Sequence, residues 1–373
     1  VSGPFTFYEF FAGGGMARAG LGGAWSCRFA NDFDRTKAET YRANWGGEDL
    51  REGNVFNLTA ADLPGQVDLA WASSPCQDLS LAGKRAGLSG GRSSAFWGFW
   101  RLMQALNKEG RAPRAIVIEN VAGLATSHGG ADFTALCRAL AEEGYHFGAL
   151  EMDAALVLPQ SRPRLFVIAA RTPAPIGRPA PPFHSRKVVE AHDRLPPELQ
   201  ARWIWWDAPA PPARNADLAS LLDPSEAVKW HTPAETDALL ANLSPAHRQR
   251  LLAAQAHGPA AGALYRRIRE EKGMKVQRAE VRFDGVAGCL RTPGGGSSRQ
   301  FIVWAEPSGV RTRALTAREG ARLMGLPDSY VLPKAVTRAL HVVGDGVAVP
   351  VVRHLAAHIL EPLLAAKPAM AAE

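Results

Sequence analysis

The chain has 373 residues, 46% of them hydrophobic, and carries 43 Lys and Arg against 36 Asp and Glu for a net charge of +7. Such a length and apolar fraction exclude a disordered chain and leave room for two unequal domains. No uninterrupted apolar run approaches the roughly 18 residues of a membrane span, and the start Val1-Ser2-Gly3-Pro4-Phe5 lacks a basic n-region, so a cytoplasmic protein without membrane contact is expected.

Residues 5–11 read as a strand ending in Phe11-Ala12-Gly13-Gly14-Gly15-Met16, with a helix beginning at 17–20. Glycines between a strand and a helix let the backbone approach a ligand and leave helix N-terminal amides to receive it. Residues 26–31 form the next strand and deliver Asp32, about 20 residues past the glycine loop, where an acid in Rossmann-like folds grips ribose hydroxyls. Phe33 beside it either stacks on an adenine face or packs in the core. A helix follows at 35–44. The chain has no lysine-serine pair of a P-loop, so the expected ligand is an adenosyl compound and not a triphosphate.

Residues 67–72 are apolar enough for a central strand, and Ser73-Ser74-Pro75-Cys76-Gln77 follows at once. A second buried strand at 115–119 brings Glu119-Asn120-Val121 to the same rim, where α/β sheets build their sites. A thiol and a carboxyl acid from neighbouring strand ends are therefore expected to converge on one small substrate. Cys27, Cys137 and Cys289 fit neither metal-ligand spacing nor a disulfide framework, and no metal site is expected. With 165–170 as a further strand, the fold class is α/β, a Rossmann-like, mostly parallel sheet.

From Thr172 the texture changes to Pro- and Ala-rich sequence, which sets a boundary near residue 173. Residues 174–310 lack a βαβ rhythm and read as a second, smaller, irregular domain. Residues 311–339 read as a hinge or bridging segment, and 340–373 return to the first domain. Within 246–300 stand eleven Lys and Arg against four acids, an excess equal to the whole net charge. A basic surface so localised suits a phosphate backbone. Residues 316–324 read as a capped helix and 349–364 as an amphipathic one.

Phe11 to Gly15, Ser74-Pro75-Cys76-Gln77, Glu119-Asn120-Val121 and Gln160-Ser161-Arg162-Pro163-Arg164 occur in the order of the DNA cytosine-5 methyltransferases, which the chain thus resembles. Gly344-Asp345-Gly346-Val347 is similar to the last motif of that family. The stretch 174–290 lacks motif matches and corresponds to the family's variable target-recognition domain.

The resemblance implies a methyltransferase that takes its methyl group from S-adenosylmethionine, leaves S-adenosylhomocysteine, and acts on a cytosine flipped out of double-stranded DNA. Carbon 5 of cytosine is a poor nucleophile until a thiolate adds to carbon 6 and turns the ring into an enamine. It assigns the thiolate to Cys76, the hydrogen bond to nitrogen 3 to Glu119, the base carbonyl oxygen to Arg162, and a bracing role to Arg164. Cofactor contacts fall on Phe11, Ala12, Gly13, Gly14, Gly15, Asp32, Phe33, Asn54, Val55, Pro75, Asp345 and Gly346. DNA contacts fall on Gln77, Ser80, Lys84, Arg85 and Arg92 of a clamp loop, on Gln160, and on Arg291, Thr292, Gly294, Gly295, Ser298 and Arg299 of a glycine-rich reading loop. Three positions depart from the family pattern: Met16 for glycine, Asn54 for aspartate and Asp345 for asparagine. A monomer is expected, with a restriction endonuclease as a companion. A tRNA cytosine-5 methyltransferase and a catalytically silent DNA-binding regulator are the alternatives.

Overall fold

A computed structural model of the chain describes residues 5–74, 95–172, 177–271, 273–291 and 299–366. It forms two compact units, the first from Val1–Met152, Pro163–Pro211 and Val351–Glu373, the second from Asp153–Arg162 and Pro212–Pro350.

Unit 1 is built on β1 (Phe5–Phe10), β2 (Trp25–Asp32), β3 (Leu50–Glu52), β4 (Leu69–Ser73), β5 (Ala115–Val121), β6 (His146–Asp153) and β7 (Pro163–Ala170). They lie in the order β3-β2-β1-β4-β5-β7-β6. β1 pairs in parallel with β2 and β4, as do β2 with β3 and β4 with β5, whereas β7 runs antiparallel to β5. The sheet is mostly parallel, as the alternating sequence predicts. β3 and β6 are strands that the sequence reading missed, one because it has three residues and the other because HFGALEMD interrupts its apolar run.

β4 and β5 are buried along nearly their whole length, which is why both read as unbroken apolar stretches. Between the strands come α1 (Met16–Leu21), α2 (Arg35–Trp45), α3 (Ala95–Lys108) and α4 (Ala131–Glu142). Tyr8, Phe10 and Phe29 share a core with Phe96, Phe99 and Trp100 of α3 and Leu136 and Leu140 of α4. After β3 the chain returns to place β4 on the other side of β1. The strand order reverses there, and ligands bind at the carboxyl ends of the strands flanking such a switch point.

Glu9, the penultimate residue of β1, is 1% exposed and accepts the Arg18 amide at 3.3 Å. Burial pushes its carboxyl up to about 8, against the opposing pull of Arg18. Because that lies above the ordinary value of 4.5, the folded state holds the proton more tightly than the unfolded chain. The stability contributed by Glu9 is full below about pH 4.5 and is lost as the pH rises through about 8. Glu9→Gln is therefore expected to flatten this dependence. Urea midpoints of parent and variant should shift in favour of the variant between about pH 5 and about pH 8.5.

The chain from 177 to 211 stays in unit 1, beyond the boundary expected near 173. It adds α5 (Arg186–Asp193) and α6 (Pro197–Gln200) and buries Trp203, Trp205 and Trp206. Trp206 Nε1 donates to Ile168 O at 3.1 Å. Prolines end the βαβ rhythm here, but burial of three indoles binds the segment to the first core.

Unit 2 corrects the expectation of an irregular domain. Its α7 (Pro233–Leu240) and α8 (Pro245–Ala256) accompany β8 (Ala260–Glu271), β9 (Met274–Arg282), β10 (Gln300–Glu306) and β11 (Gly309–Ala314), which form a sheet in the order β11-β10-β8-β9. The described pairings are all antiparallel. Antiparallel strands need no crossover helices, so a regular sheet leaves no βαβ signature. Leu239, Leu243 and Leu251 pack on Leu264, Val281 and Val303 in a core of their own.

Next comes α9 (Ala317–Leu323), which opens with the expected capping box: Thr316 Oγ1 accepts the Glu319 amide and the Glu319 carboxylate accepts the Thr316 amide. Glu319 also receives Arg313 Nη1 at 2.8 Å and Nη2 at 2.6 Å, both residues being fully buried. α10 (Val336–Asp345) and α11 (Val349–Leu355) follow, and the amphipathic helix expected at 349–364 is interrupted by a π turn at Ala356–Leu360. Among the described residues, the helices between 336 and 365, broken at 346–348, together have the length and apolar composition to cross a membrane. Of their apolar window 56% is buried inside the protein, as in a core helix.

Candidate active site

The parallel register sets Ser73 of β4 directly opposite Glu119 of β5. Asn120 ties the two strand ends together, its Nδ2 donating to Ser74 O and to Ser74 Oγ, each at 3.1 Å. Its Oδ1 accepts the Val121 amide at 2.8 Å. The segment that leads into Pro75-Cys76 is thus anchored beside the carboxyl group. Pro75, Cys76, Gln77, Ser80, Lys84, Arg85 and Arg92 lie outside the described residues, as do Thr292, Gly294, Gly295 and Ser298.

Glu119 is buried, 6% exposed, and Arg164 Nε lies 3.2 Å from its Oε1. The antiparallel pairing explains the contact. Val121 faces Arg164 and Glu119 faces Phe166, so Arg164 is the diagonal neighbour of the carboxylate on the adjacent strand.

Arg162 is placed differently, on the stretch of chain that belongs to unit 2. It is 2% exposed; its Nη1 donates to Leu290 O at 2.8 Å and its Nη2 to Gly344 O and Gly346 O at 3.0 and 2.6 Å. These bonds make it a clamp on three backbone carbonyls, whereas the sequence reading gave it the base carbonyl oxygen. Gln160 is likewise fully buried. Its amide donates to Leu323 O at 2.6 Å and accepts the Leu290 amide at 3.1 Å, so it serves the interior of unit 2 and not, as expected, the DNA. Arg291 is exposed, Arg299 Nη2 reaches Thr337 Oγ1 at 3.3 Å, and Asp345 and Gly346 belong to unit 2 as well.

The glycine loop after β1 has the geometry of a cradle. Phe11, Gly13 and Gly15 all have positive φ, at 56°, 57° and 79°. The turn is braced from two sides. Asp32 Oδ2 accepts the Gly13 amide at 2.8 Å, its Oδ1 accepts the Asp34 amide at 2.8 Å, and its carbonyl accepts the Gly53 amide at 2.9 Å. Burial raises the pKa of Asp32, opposed by the charge of Lys37 and by these amide bonds. The acid expected at a ribose thus fastens together the loops that follow β1, β2 and β3. On the other side Trp45 Nε1 donates to Gly14 O at 3.0 Å, and the Arg18 guanidinium lies 5.2 Å from the Trp45 ring centre. Trp45 was not legible as a loop residue, since an indole at the end of a helix carries no motif.

Of the two readings of Phe33, core packing fails: the side chain is 70% exposed. Asn54 Oδ1 accepts the Phe56 amide at 3.0 Å, while Val55 is a core residue under Gly98 of α3. Ala12 is buried, with its amide on Asn31 O at 2.9 Å. An exposed aromatic face next to a positive-φ glycine loop, with no atom within 4 Å of a Cβ built at Gly13, fits an adenosyl group.

Gly15 is the most constrained position of the loop. A Cβ there would lie 2.6 Å from Trp45 Cδ1, at a φ that L-residues rarely adopt. Gly15→Ala is expected to strain the loop by about 1–2 kcal/mol, displace Trp45, and weaken S-adenosylmethionine binding by about tenfold, read by calorimetric titration.

A family model for C-5 cytosine-specific DNA methylase matches residues 5–361. The chain belongs to this family. It is therefore a DNA cytosine-5 methyltransferase, and the family and its fold imply S-adenosylmethionine as donor. Among curated relatives, the Type II methyltransferase M.HpaII of Haemophilus parainfluenzae is 26% identical over 96% of this chain and 90% of its own length. The Type II methyltransferase M.HhaI of Haemophilus parahaemolyticus is 24% identical over 95% and 93%. The solved structure of S. pombe Dnmt2 methyltransferase superposes with a TM-score of 0.61 at 17% identity, covering 96% of this chain and 99% of that one. Entamoeba histolytica methyltransferase EhMeth gives a TM-score of 0.62 at 14% identity over 96% and 99%. These two likenesses are of fold.

Proposed function

We propose that the protein methylates carbon 5 of a cytosine flipped out of duplex DNA at a specific short sequence, through a covalent bond from Cys76 to carbon 6. The observation that carries this reading is the buried Glu119–Arg164 pair opposite Ser73, three residues before Cys76.

Extruding the base costs roughly a few kcal/mol, which contacts elsewhere on the DNA offset. Cys76 adds to carbon 6 as the thiolate, and the electron pair gained by the ring makes carbon 5 nucleophilic. Glu119, in its protonated form or sharing a proton with the ring, donates a hydrogen bond to nitrogen 3, which steadies the charge that develops there. Arg164, whose Nε lies 3.2 Å from Glu119 Oε1, is the guanidinium assigned to the base carbonyl oxygen beside it. S-adenosylmethionine, when bound, supplies an electrophilic methyl group on a sulfonium sulfur. Phe11, Gly13, Gly15 and Asp32 shape its loop, with Phe33 as the stacking face. Once carbon 5 is methylated, its proton leaves and the carbon–sulfur bond breaks, which returns Cys76 to the thiolate.

The curated relatives are named Type II methyltransferases, which favours sequence-specific duplex modification with a companion restriction endonuclease. Bisulfite sequencing of plasmid from cells expressing the protein is expected to reveal protected cytosines within one short motif. Unprotected plasmid, together with label from the donor appearing only in tRNA, would sink the reading.

A further inference from the structure

We infer that the outer half of the β8–β9 hairpin is a DNA-backbone clamp that extends the footprint beyond the bases being read. The inference rests on duplex DNA as substrate. β10 pairs with β8 only from Ala260 to Tyr265, whereas β9 pairs with it as far as Glu271. From Arg266 to Glu271, and from Met274 to Ala279, the two strands have only each other as strand neighbours among the described residues, with Ala279 at the root also bridging Leu243. Six residue pairs at about 3.4 Å each make a ribbon about 20 Å long, the span of about six base steps.

Its sequence is unlike that of a free sheet edge made for stability. The register sets Arg267 opposite Arg278, two like charges on one rung, with the Glu280 carboxylate beside Arg267 as a partial counterion. Arg269, two residues on, shares the same face. Glu280 bridges Arg267, at 3.3 Å, and Arg269, which orients both guanidinium groups on that face. Ile268 and Met274 are 63% and 65% exposed near the tip, a position in which apolar side chains gain nothing from water. A basic two-stranded ribbon with apolar tip residues matches the width of a DNA groove and the charge of its walls.

The ribbon also grows from the root of the reading loop. Tyr265 faces Gln300 in register, and the Gln300 side chain holds Gly288, accepting its amide at 3.0 Å and donating to its carbonyl at 2.7 Å. Gly288 and Gln300, which flank that loop in sequence, thus stand beside Tyr265, next to the first arginine of the ribbon. Tyr265, Arg267 and Arg269 alternate onto one face, so the basic surface is continuous with the base of the loop.

The test is equilibrium binding of the full chain and of Arg267→Gln/Arg269→Gln/Arg278→Gln to labelled duplexes across a salt series, with no turnover required. The parent should bind a duplex of about 40 base pairs with a log–log salt slope steeper than the variant's by about 2–3, at about 0.9 for each phosphate that the variant no longer neutralises. On a duplex just long enough to cover the recognition sequence, the difference between the slopes should shrink. The triple lysine variant should restore the slope. Equal slopes for parent and glutamine variant on the long duplex, a difference that persists unchanged on the short one, or a ribbon effect seen only with RNA would each overturn the clamp. Loss of methylation with a normal salt difference would count against the proposed reaction and leave the clamp standing.

Discussion

Cys76→Ser is expected to lower methyl transfer by at least about 10⁴-fold while affinity for duplex DNA stays within about twofold. A serine hydroxyl at neutral pH is almost wholly protonated, and the ring cannot be activated without an anionic nucleophile at carbon 6. A cytosine in DNA can be bound and even extruded by contacts that do not involve the sulfur. The decisive measurement is a denaturing gel after incubation with 5-fluorocytosine DNA and the methyl donor. Fluorine at carbon 5 blocks the final elimination, so the parent should stay attached to the DNA and the serine variant should not. A serine variant that turns over at the parent's rate removes the covalent route.

Glu119→Gln is expected to lower kcat by about 10²–10⁴-fold with a much smaller change in KM, because the hydrogen bond to nitrogen 3 strengthens as charge develops on the ring. Glutamine keeps the size of the side chain and can still accept a bond from Arg164 Nε, now 3.2 Å from the carboxylate. Stability should therefore change little, and the loss should appear in rate. Arg164→Met is the contrasting variant. It removes the cation 3.2 Å from a buried carboxyl group and should cost up to about 3–5 kcal/mol of stability as well as activity. Arg164→Lys should recover most of the stability but less of kcat, since an ammonium cannot hold a carboxylate and a carbonyl in one plane. If Glu119→Gln changes KM alone, the carboxyl serves binding and the proposed stabilisation of nitrogen 3 fails.

The parts of the site that could be read early share one property: each sits at the end of a strand buried on both faces. Such strands are continuous apolar runs, so β4 and β5 announce where their rim residues begin, and Glu119 falls opposite Ser73 once parallel neighbours are assumed. The glycine loop was legible for the same reason, together with the Asp32 that follows the next strand. What could not be read was the destination of side chains on irregular segments. Phe33 had two equal readings until its exposure decided between them.

Sequence alone determined the family, the order of the motifs, the α/β class and the strand ends at Ser73 and Glu119, because hydrophobic periodicity and local glycine chemistry are properties of neighbours in the chain. Only the tertiary structure decided that Arg164 meets Glu119 while Arg162, two residues earlier, clamps carbonyls of the second unit. Nothing local separates two arginines in Gln160-Ser161-Arg162-Pro163-Arg164; the chain changes units between residues 162 and 163, and burial then consumes the hydrogen bonds of one and spares the other. The same holds for Gln160, for Trp45 on the glycine loop and for the regular sheet of the second unit, each fixed by partners far away in sequence that pattern cannot pair.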